Sequence, residues 1–183
     1  MDHSPPEPIT GVSESFFSLY RPMIRAANGL TLAQVSAITR LEGSTIQNWI
    51  KRGFVAHPVE KKYYERQLAR ILLIAALRDS MPLERIGAIM AQLNGDADDE
   101  SDDTVPETRM YDYLCAVRQG MEDSGFTRAR ALEVIESVTA DYAAPDATAR
   151  RRLTAALLTM ACADEAARLR RMAEGCYEDL CAL

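Results

Sequence analysis

Long apolar runs, histidine and paired cysteines are scarce in this chain of 183 residues. No apolar run approaches the roughly 18 residues that a membrane-spanning helix needs. The start, Met-Asp-His-Ser-Pro-Pro, lacks the basic region followed by an apolar one that marks a secretory signal. We therefore expect a cytoplasmic protein that has no membrane partner.

Patterns typical of enzymes and metal sites are missing as well. The two histidines, His3 and His57, join no Ser/His/Asp or Cys/His set, and no glycine-rich phosphate loop is present. The four cysteines form no C-x-x-C pair, so we expect free, mostly buried thiols. They are Cys115, Cys162, Cys176 and Cys181. The sequence predicts no catalytic residue, no cofactor and no metal.

Charge is distributed unevenly along the chain. The net charge of −6 argues against nucleic-acid binding. The segment from Arg40 to Arg70, however, contains seven basic residues and only three acidic ones. A local basic patch can still hold DNA, because charges beyond about 10 Å are screened. Residues 96–107 are strongly acidic and predict a solvated linker. An EF-hand calcium loop is the weaker alternative, because Ser101 stands where that loop needs glycine.

The stretch from Ser44 to Gly53 predicts a helix with two contrasting faces. The apolar stripe consists of Ile46, Trp49 and Ile50. The opposite, polar face consists of Ser44, Gln47, Asn48 and Lys51. Hydroxyls, carboxamides and a lysine on one exposed helix face are groups that read base edges and hold phosphates. An ordinary solvated polar face is the competing interpretation.

The residues around this helix predict a helix-turn-helix with a small wing. Thr31 is the expected N-cap of a preceding helix, and a short turn at 40–43 joins the two. Residues 54–63 have strand-like character around Pro58, which indicates a two-stranded wing with Lys61 and Lys62 at its tip. Two further helices follow, the first of them apolar on both sides.

Segments outside this unit predict a tail, a linker and more helices. Residues 1–28 are expected to form a loose tail and a packing helix interrupted at Pro22. Residues 29–95 form the predicted DNA-binding domain and 96–107 the acidic linker. Residues 108–183 form a helical dimerisation or effector region, whose last helix is capped by Asp146 and carries apolar positions between 153 and 180.

The motif from Thr39 to Val55 resembles the helix-turn-helix of MerR-type regulators, which reads T-G-V-S-x-R-T-I-R-Y-Y-E-x-x-G-L-L. Lys61-x-Tyr63 and the segment 67–71 are similar to that family's R-x-Y and D-L-x-R-L. The register is closer still to a little-characterised bacterial subfamily of unknown function with an acidic spacer. The resemblance implies an all-α fold with a small β wing, a MerR-like winged helix-turn-helix followed by a helical C-terminal region. Ser44 and Gln47 stand where the family has arginines.

These observations predict a sequence-specific transcriptional regulator that binds double-stranded DNA as a homodimer. A small-molecule or protein effector is expected at the C-terminal helices. The alternative is a helical protein-interaction module that keeps the winged fold without binding DNA. The predicted DNA contacts are Thr31, Ser44, Thr45, Gln47, Asn48, Lys51, Arg52, Lys61, Lys62 and Tyr63.

Overall fold

The fold is built from α-helices. The computed structural model describes residues 16–95, 97–98, 103–122 and 125–182. Within those residues the chain forms eight α-helices and no named β-strand, which confirms the predicted all-α class. The helices are α1 Phe16–Ala26, α2 Leu32–Thr39, α3 Gly43–Lys51, α4 Glu65–Leu77, α5 Leu83–Asn94, α6 Glu107–Met121, α7 Arg128–Val138 and α8 Ala147–Cys181. Residues 1–15, which contain the predicted loose tail, lie outside the described residues.

Helix α4 lies at the centre of the fold. It packs against α1, α2, α5, α6 and α8. Leu68, Ile71 and Leu77 are fully buried, which confirms the prediction that this helix is covered on more than one side. Burying a leucine or isoleucine side chain contributes about 1.5–3 kcal/mol, so α4 is a principal source of stability for both halves of the chain.

One hydrophobic core continues across the acidic segment. It includes Phe17 in α1, Trp49 in α3 and Met160 in α8. Helix α4 packs against α6, and α5 packs against α8, so helices before and after residues 96–107 contact one another directly. The domain division at 96–107 remains a prediction, and the core on its two sides is continuous.

The N-terminal helix corrects one expectation. Helix α1 runs through Pro22 without a break. A proline inside a helix removes a hydrogen bond, but Phe17 and Ile24, on either side of it, are both fully buried. Tertiary packing therefore outweighs the local cost. Phe17 also meets Tyr111 of α6 edge to face, with ring centroids 5.9 Å apart.

The predicted two-stranded wing is replaced by a tight turn. Isolated bridges join Val59 to Lys62 and Leu30 to Tyr63, and the described residues contain no longer ladder. The carbonyls that a strand over 54–57 would need are already used. The Phe54 carbonyl accepts from Arg70, and the His57 carbonyl accepts from Gln67. Side chains of α4 thus take the place of a partner strand.

Helix α8 is 35 residues long and begins where the sequence predicts. The Asp146 carboxylate accepts hydrogen bonds from the backbone N–H groups of Thr148 and Ala149, at 2.6 and 2.8 Å. Its buried residues end at Ala167, although the helix continues to Cys181. Despite its length, neither this helix nor another in the described ranges is apolar enough to cross a membrane.

Candidate nucleic-acid interface

Helices α2 and α3 form a two-helix unit joined by three residues, Arg40 to Glu42. Thr31 caps α2 through a capping box with Gln34. The Thr31 backbone N–H donates to the Gln34 side chain at 2.8 Å, and the Gln34 N–H donates to the Thr31 hydroxyl at 3.3 Å. The role of Thr31 in this structure is therefore that of a helix cap, and its hydroxyl also donates to the Gln34 side chain at 3.0 Å.

Helix α3 separates its two faces as its sequence predicts. The apolar residues Ile46, Trp49 and Ile50 are all buried. The exposed residues of the polar face are Ser44, Gln47, Asn48 and Lys51, while Thr45 is half-buried. Within the part of the chain that is described, no hydrogen bond or ion pair engages those four exposed side chains. The structure therefore presents four uncommitted polar groups on one helix face.

A Schellman motif ends α3. The Gly53 N–H donates to the Ile50 carbonyl and the Phe54 N–H donates to the Trp49 carbonyl, both at 2.9 Å. Gly53 has a φ of +74°, a left-handed conformation that glycine adopts without a Cβ penalty. The motif fixes the C-terminal end of α3 and with it the position of Lys51, one residue before the cap.

Arg52 is tied to the protein itself. Its guanidinium donates to the Glu84 carboxylate of α5 at 2.5 Å and lies 5.0 Å from the centre of the Phe54 ring. Hydrogen bonds from its own backbone N–H and from Arg52 lower the pKa of Glu84. The sequence predicts Arg52 as a DNA contact, but in the structure its guanidinium is paired with the Glu84 carboxylate.

A tight turn places the remaining lysines. Val59 and Lys62 exchange two backbone hydrogen bonds, at 3.0 and 2.8 Å. Both central residues, Glu60 and Lys61, have positive φ values of 49° and 62°, the pattern of a type I′ turn. Lys61 is exposed at the tip, while Lys62 is half-buried. The Lys62 ammonium lies 3.5 Å from the Gly29 carbonyl.

Tyr63 lies in the core and not at the surface. Its side chain is 3% exposed, and burial raises the pKa of its phenol. Its backbone bridges Leu30, just before α2, through two hydrogen bonds of 2.8 Å. The sequence predicts Tyr63 as a DNA contact, and in the structure its side chain packs in the core.

The predicted basic patch is smaller in the folded protein. Arg70 donates to Glu107 at 3.0 Å, and Arg66 donates to Glu107 at 3.1 Å and to Asp103 at 3.3 Å. The Arg70 and Glu107 side chains are 5% and 1% exposed. The prediction of a solvated linker is therefore wrong at Glu107, which is a buried ion-pair partner at the start of α6. Asp96, Asp99, Glu100 and Asp102 lie outside the described residues.

This ion-pair cluster also contacts the backbone that follows α3. The Nε of Arg70 donates to the Phe54 carbonyl at 2.7 Å, so one guanidinium connects the third residue after α3 with the first residue of α6. Sequence reasoning missed this link. One signal was available, because Arg70 falls on a face of α4 that also carries Leu73, Ile74 and Leu77, where an unpaired charge is not tolerated.

Lysine is confined to this region of the chain. All three lysines of the protein are Lys51, Lys61 and Lys62, and every other basic side chain outside the histidines is an arginine. Lysine ammonium groups act as mobile point charges toward phosphate, whereas Arg52, Arg66 and Arg70 are held in pairs with carboxylates. Chemical modification of lysine therefore reports on α3 and the 59–62 turn alone.

A second concave site lies between α6 and α8. The cavity has a volume of about 340 Å³ and an apolar floor that includes Leu114, Val117 and Phe126. Its rim carries two arginine–carboxylate pairs. Arg118 donates to Asp164 at 2.9 Å, and Arg168 donates to Glu165 at 2.7 Å. The cavity lies among the C-terminal helices, the region in which the sequence predicts an effector.

The cysteines differ from their prediction. All four are free, but only Cys115 is partly buried, and burial raises the pKa of its thiol. The exposed cysteines are Cys162, Cys176 and Cys181.

Comparisons with known proteins match one segment of the chain to a family model. Residues 24–114 match the family described as "Domain of unknown function (DUF1836)", a segment that runs from the end of α1 into α6. A curated protein of Bacillus subtilis (strain 168), "Uncharacterized protein YkrK", is 31% identical over 90 residues. That match covers 47% of this chain and 39% of the relative, so the chain spans well under half of that protein's length. No solved structure matches the chain.

The family match overturns the MerR resemblance. The matching family is DUF1836, so the assignment to MerR-type regulators is wrong, while the expectation of an uncharacterised family is confirmed for residues 24–114. The residues behind the resemblance have local structural explanations. Ile46, Trp49 and Ile50 bury one side of a short helix, and Gly53 supplies its left-handed cap. Apolar stripes and left-handed glycine caps recur in short helices of many folds, so the pattern is not specific to one family.

Proposed function

We propose that the protein is a sequence-specific DNA-binding regulator of transcription that reads double-stranded DNA with α3. One observation carries the proposal. Ser44, Gln47, Asn48 and Lys51 stand exposed and uncommitted on one face of a helix whose other face is buried. Major-groove recognition by a two-helix unit needs this arrangement, a rigidly seated helix with free polar side chains.

The residues have distinct roles in this proposal. Gln47 and Asn48 can each bond an adenine edge with two hydrogen bonds, which discriminates against the wrong base by about 1–3 kcal/mol. Lys51 and Lys61 would contact phosphates, and Ser44 the sugar-phosphate backbone. The Val59–Lys62 turn would act as a minimal wing. Thr31 would orient α2 and not contact DNA, and neither Arg52 nor Tyr63 would be a principal contact.

Selection from genomic fragments, followed by affinity measurements against salt, tests the proposal. Lys51→Ala should weaken binding to every sequence and reduce the salt slope by about one. Asn48→Ala should relax the preference at one base pair and leave the salt slope unchanged. Gln119→Ala, an exposed carboxamide on α6, is the matched control and should have no effect. Undetectable binding at low salt would refute the proposal.

Lysine acetylation offers an independent test. Because all three lysines lie in α3 and the 59–62 turn, bound DNA should protect Lys51 and Lys61 from acetylation, read residue by residue by mass spectrometry. Complete acetylation before mixing should abolish binding. Full reactivity of Lys51 in the presence of saturating DNA would contradict a role for α3.

The alternative is a protein-interaction module, and one observation favours it. Arg52, Arg66 and Arg70 are all paired with carboxylates, and the chain carries a net charge of −6. If α3 bound a protein, its affinity would not fall with salt as steeply as counterion release from DNA requires. The salt dependence measured above therefore separates the two functions.

Other parts of the proposed function concern regulation. A cytoplasmic location suits a regulator of transcription. The cavity between α6 and α8 would accept an effector with an apolar body and charged ends, matching its floor and rim. Chemical-shift changes at Phe126 or Arg118 on addition of a metabolite would identify that site.

A further inference from the structure

The end of α8 presents an apolar face that no other described part of the chain covers. We refer to residues 168–181 as the α8 extension. Ala167 is the last buried residue of the helix, and beyond it four large apolar side chains are half or more exposed. They are Leu169 at 52%, Met172 at 53%, Leu180 at 66% and Tyr177 at 68%. Monomers rarely expose such side chains together, and an apolar helix stripe of this kind marks an interaction surface.

The order of basic and acidic residues along the extension indicates which partner complements this surface. The basic residues of the extension come first, at Arg168, Arg170 and Arg171. The acidic residues come second, at Glu174, Glu178 and Asp179. Two copies side by side in parallel would place like charges opposite each other. Two antiparallel copies would place the basic half of one opposite the acidic half of the other.

The apolar residues obey the same symmetry. With a twofold axis between Glu174 and Gly175, Leu169 of one copy lies level with Leu180 of the other, and Met172 lies level with Tyr177. On one flank of the stripe, Arg168 falls two residues from the level of Asp179 in the second copy. At 1.5 Å per residue this offset is about 3 Å, within the reach of an arginine side chain.

Contacts within the chain do not prevent this pairing. Arg168 donates to Glu165 at 2.7 Å, and Arg170 donates to the Asp79 carbonyl at 2.8 Å. Arg170 also pairs with Glu174 at 3.5 Å, and Arg171 approaches Asp79 at 3.8 Å. All three arginine side chains remain more than half exposed, so their guanidinium groups stay at the surface. Exposed pairs of this kind are weak and exchange partners at little cost.

We infer that the α8 extension pairs antiparallel with the same segment of a second copy and forms a twofold-symmetric homodimer. Such an interface is isologous, since each copy contributes the same surface. The inference goes beyond the proposed function and does not rest on it. A dimer of this kind would also carry two α3 helices on one particle.

Charge reversal of the full chain, followed by sedimentation against concentration, tests the inference. The wild-type protein should dimerise in the micromolar range. The variant R168E/R170E/R171E makes the extension acidic throughout and should dimerise about tenfold more weakly or worse. Adding E174R/E178R/D179R to the same chain restores the complementarity and should restore the dimer. The matched control R128E/R151E/R152E reverses three exposed arginines elsewhere and should dimerise as wild type does.

Circular dichroism should show that all variants keep their helix content. A wild-type protein that stays monomeric at about 100 µM would overturn the inference. So would a dimer that survives R168E/R170E/R171E unchanged, or a six-residue swap that fails to recover.

Two native cysteines test the orientation. Spin labels are placed on Cys176 or on Cys181, with the remaining cysteines replaced by serine. In the antiparallel pair, the two Cys181 labels are 13 residues apart along the axis, about 20 Å, whereas the two Cys176 labels are three residues apart, about 5 Å. A parallel pair gives equal distances for both sites. Electron paramagnetic resonance showing equal distances would overturn the antiparallel arrangement.

Discussion

The buried pair of Arg70 and Glu107 yields the sharpest prediction about stability. Both side chains are nearly inaccessible, at 5% and 1% exposure, and Glu107 accepts from Arg70 at 3.0 Å and from Arg66 at 3.1 Å. Glu107→Gln keeps the shape but removes the charge, which leaves Arg70 buried without its anion. Removing one partner of a buried ion pair costs about 3–5 kcal/mol. We expect a loss of about 3 kcal/mol, because glutamine can still accept one hydrogen bond.

Urea unfolding followed by circular dichroism measures this loss. At a slope of roughly 2 kcal/mol per molar, the midpoint should fall by about 1.5 M. Glu84→Gln is the matched control. Glu84 also lies in the first turn of its helix and also binds an arginine, at 2.5 Å, but its side chain is 66% exposed. That change should leave the midpoint unaltered, because exposed ion pairs contribute little.

A double-mutant cycle completes the test. Arg70→Met removes the guanidinium and also the donor to the Phe54 carbonyl, so alone it should destabilise by about 3 kcal/mol or more. Combined with Glu107→Gln, the total loss should be smaller than the sum by about 2 kcal/mol. If Glu107→Gln costs less than about 1 kcal/mol, or the two losses simply add, the pair does not hold α4 to α6 as we argue.

Three further predictions concern single positions. Gly29→Ala should destabilise the protein by about 2 kcal/mol or more, because its φ is +82° and a Cβ there would lie 2.8 Å from the Lys62 Cβ. Gly53→Ala should cost only about 1 kcal/mol, because a Cβ there meets no atom within 4 Å. Hydrogen bonds from Ala149 and Thr148 lower the pKa of Asp146 below its ordinary 3.8, so its charge stabilises above that pH and this contribution is lost as the pH falls through the lowered value. The stability difference between wild type and Asp146→Asn should therefore shrink below pH 4, measured by urea unfolding at several pH values. Cys115 should react with iodoacetamide more slowly than the three exposed cysteines, because burial raises the pKa of its thiol.

Each of these has a result that would contradict it. Equal losses for the two glycine variants would show that the contact with Lys62 relaxes freely. If the stability difference between wild type and Asp146→Asn stayed constant from pH 6 to pH 2.5, the charge of Asp146 would not contribute to stability. Alkylation of Cys115 at the rate of Cys162 would mean that α6 opens locally and often.

Local features of the chain could be read from the sequence. The boundaries of α3 follow from Gly53 and from the spacing of Ile46, Trp49 and Ile50, and the start of α8 follows from Asp146. Helix periodicity and cap chemistry involve residues within a few positions of one another, so the sequence carries them directly. The separation of α3 into a buried face and an exposed polar face was predicted for the same reason.

The family could not be predicted from these local features. The MerR resemblance rested on the motif from Thr39 to Val55, and such local patterns recur wherever a short helix must be seated and capped. What the pattern predicted correctly was the two-helix unit and not its relatives.

Contacts between distant residues decided the rest. The sequence by itself determined an all-α chain, the two faces of α3 and the N-caps Thr31 and Asp146. Only the tertiary structure decided that Glu107, in a segment expected to be solvated, lies buried against Arg70 and Arg66. The tertiary structure also decided that the Tyr63 side chain is buried and that the end of α8 is exposed. The physical reason is that burial depends on which helices meet. A charge 37 residues away is invisible to periodicity, yet it decides whether an arginine faces DNA or the core.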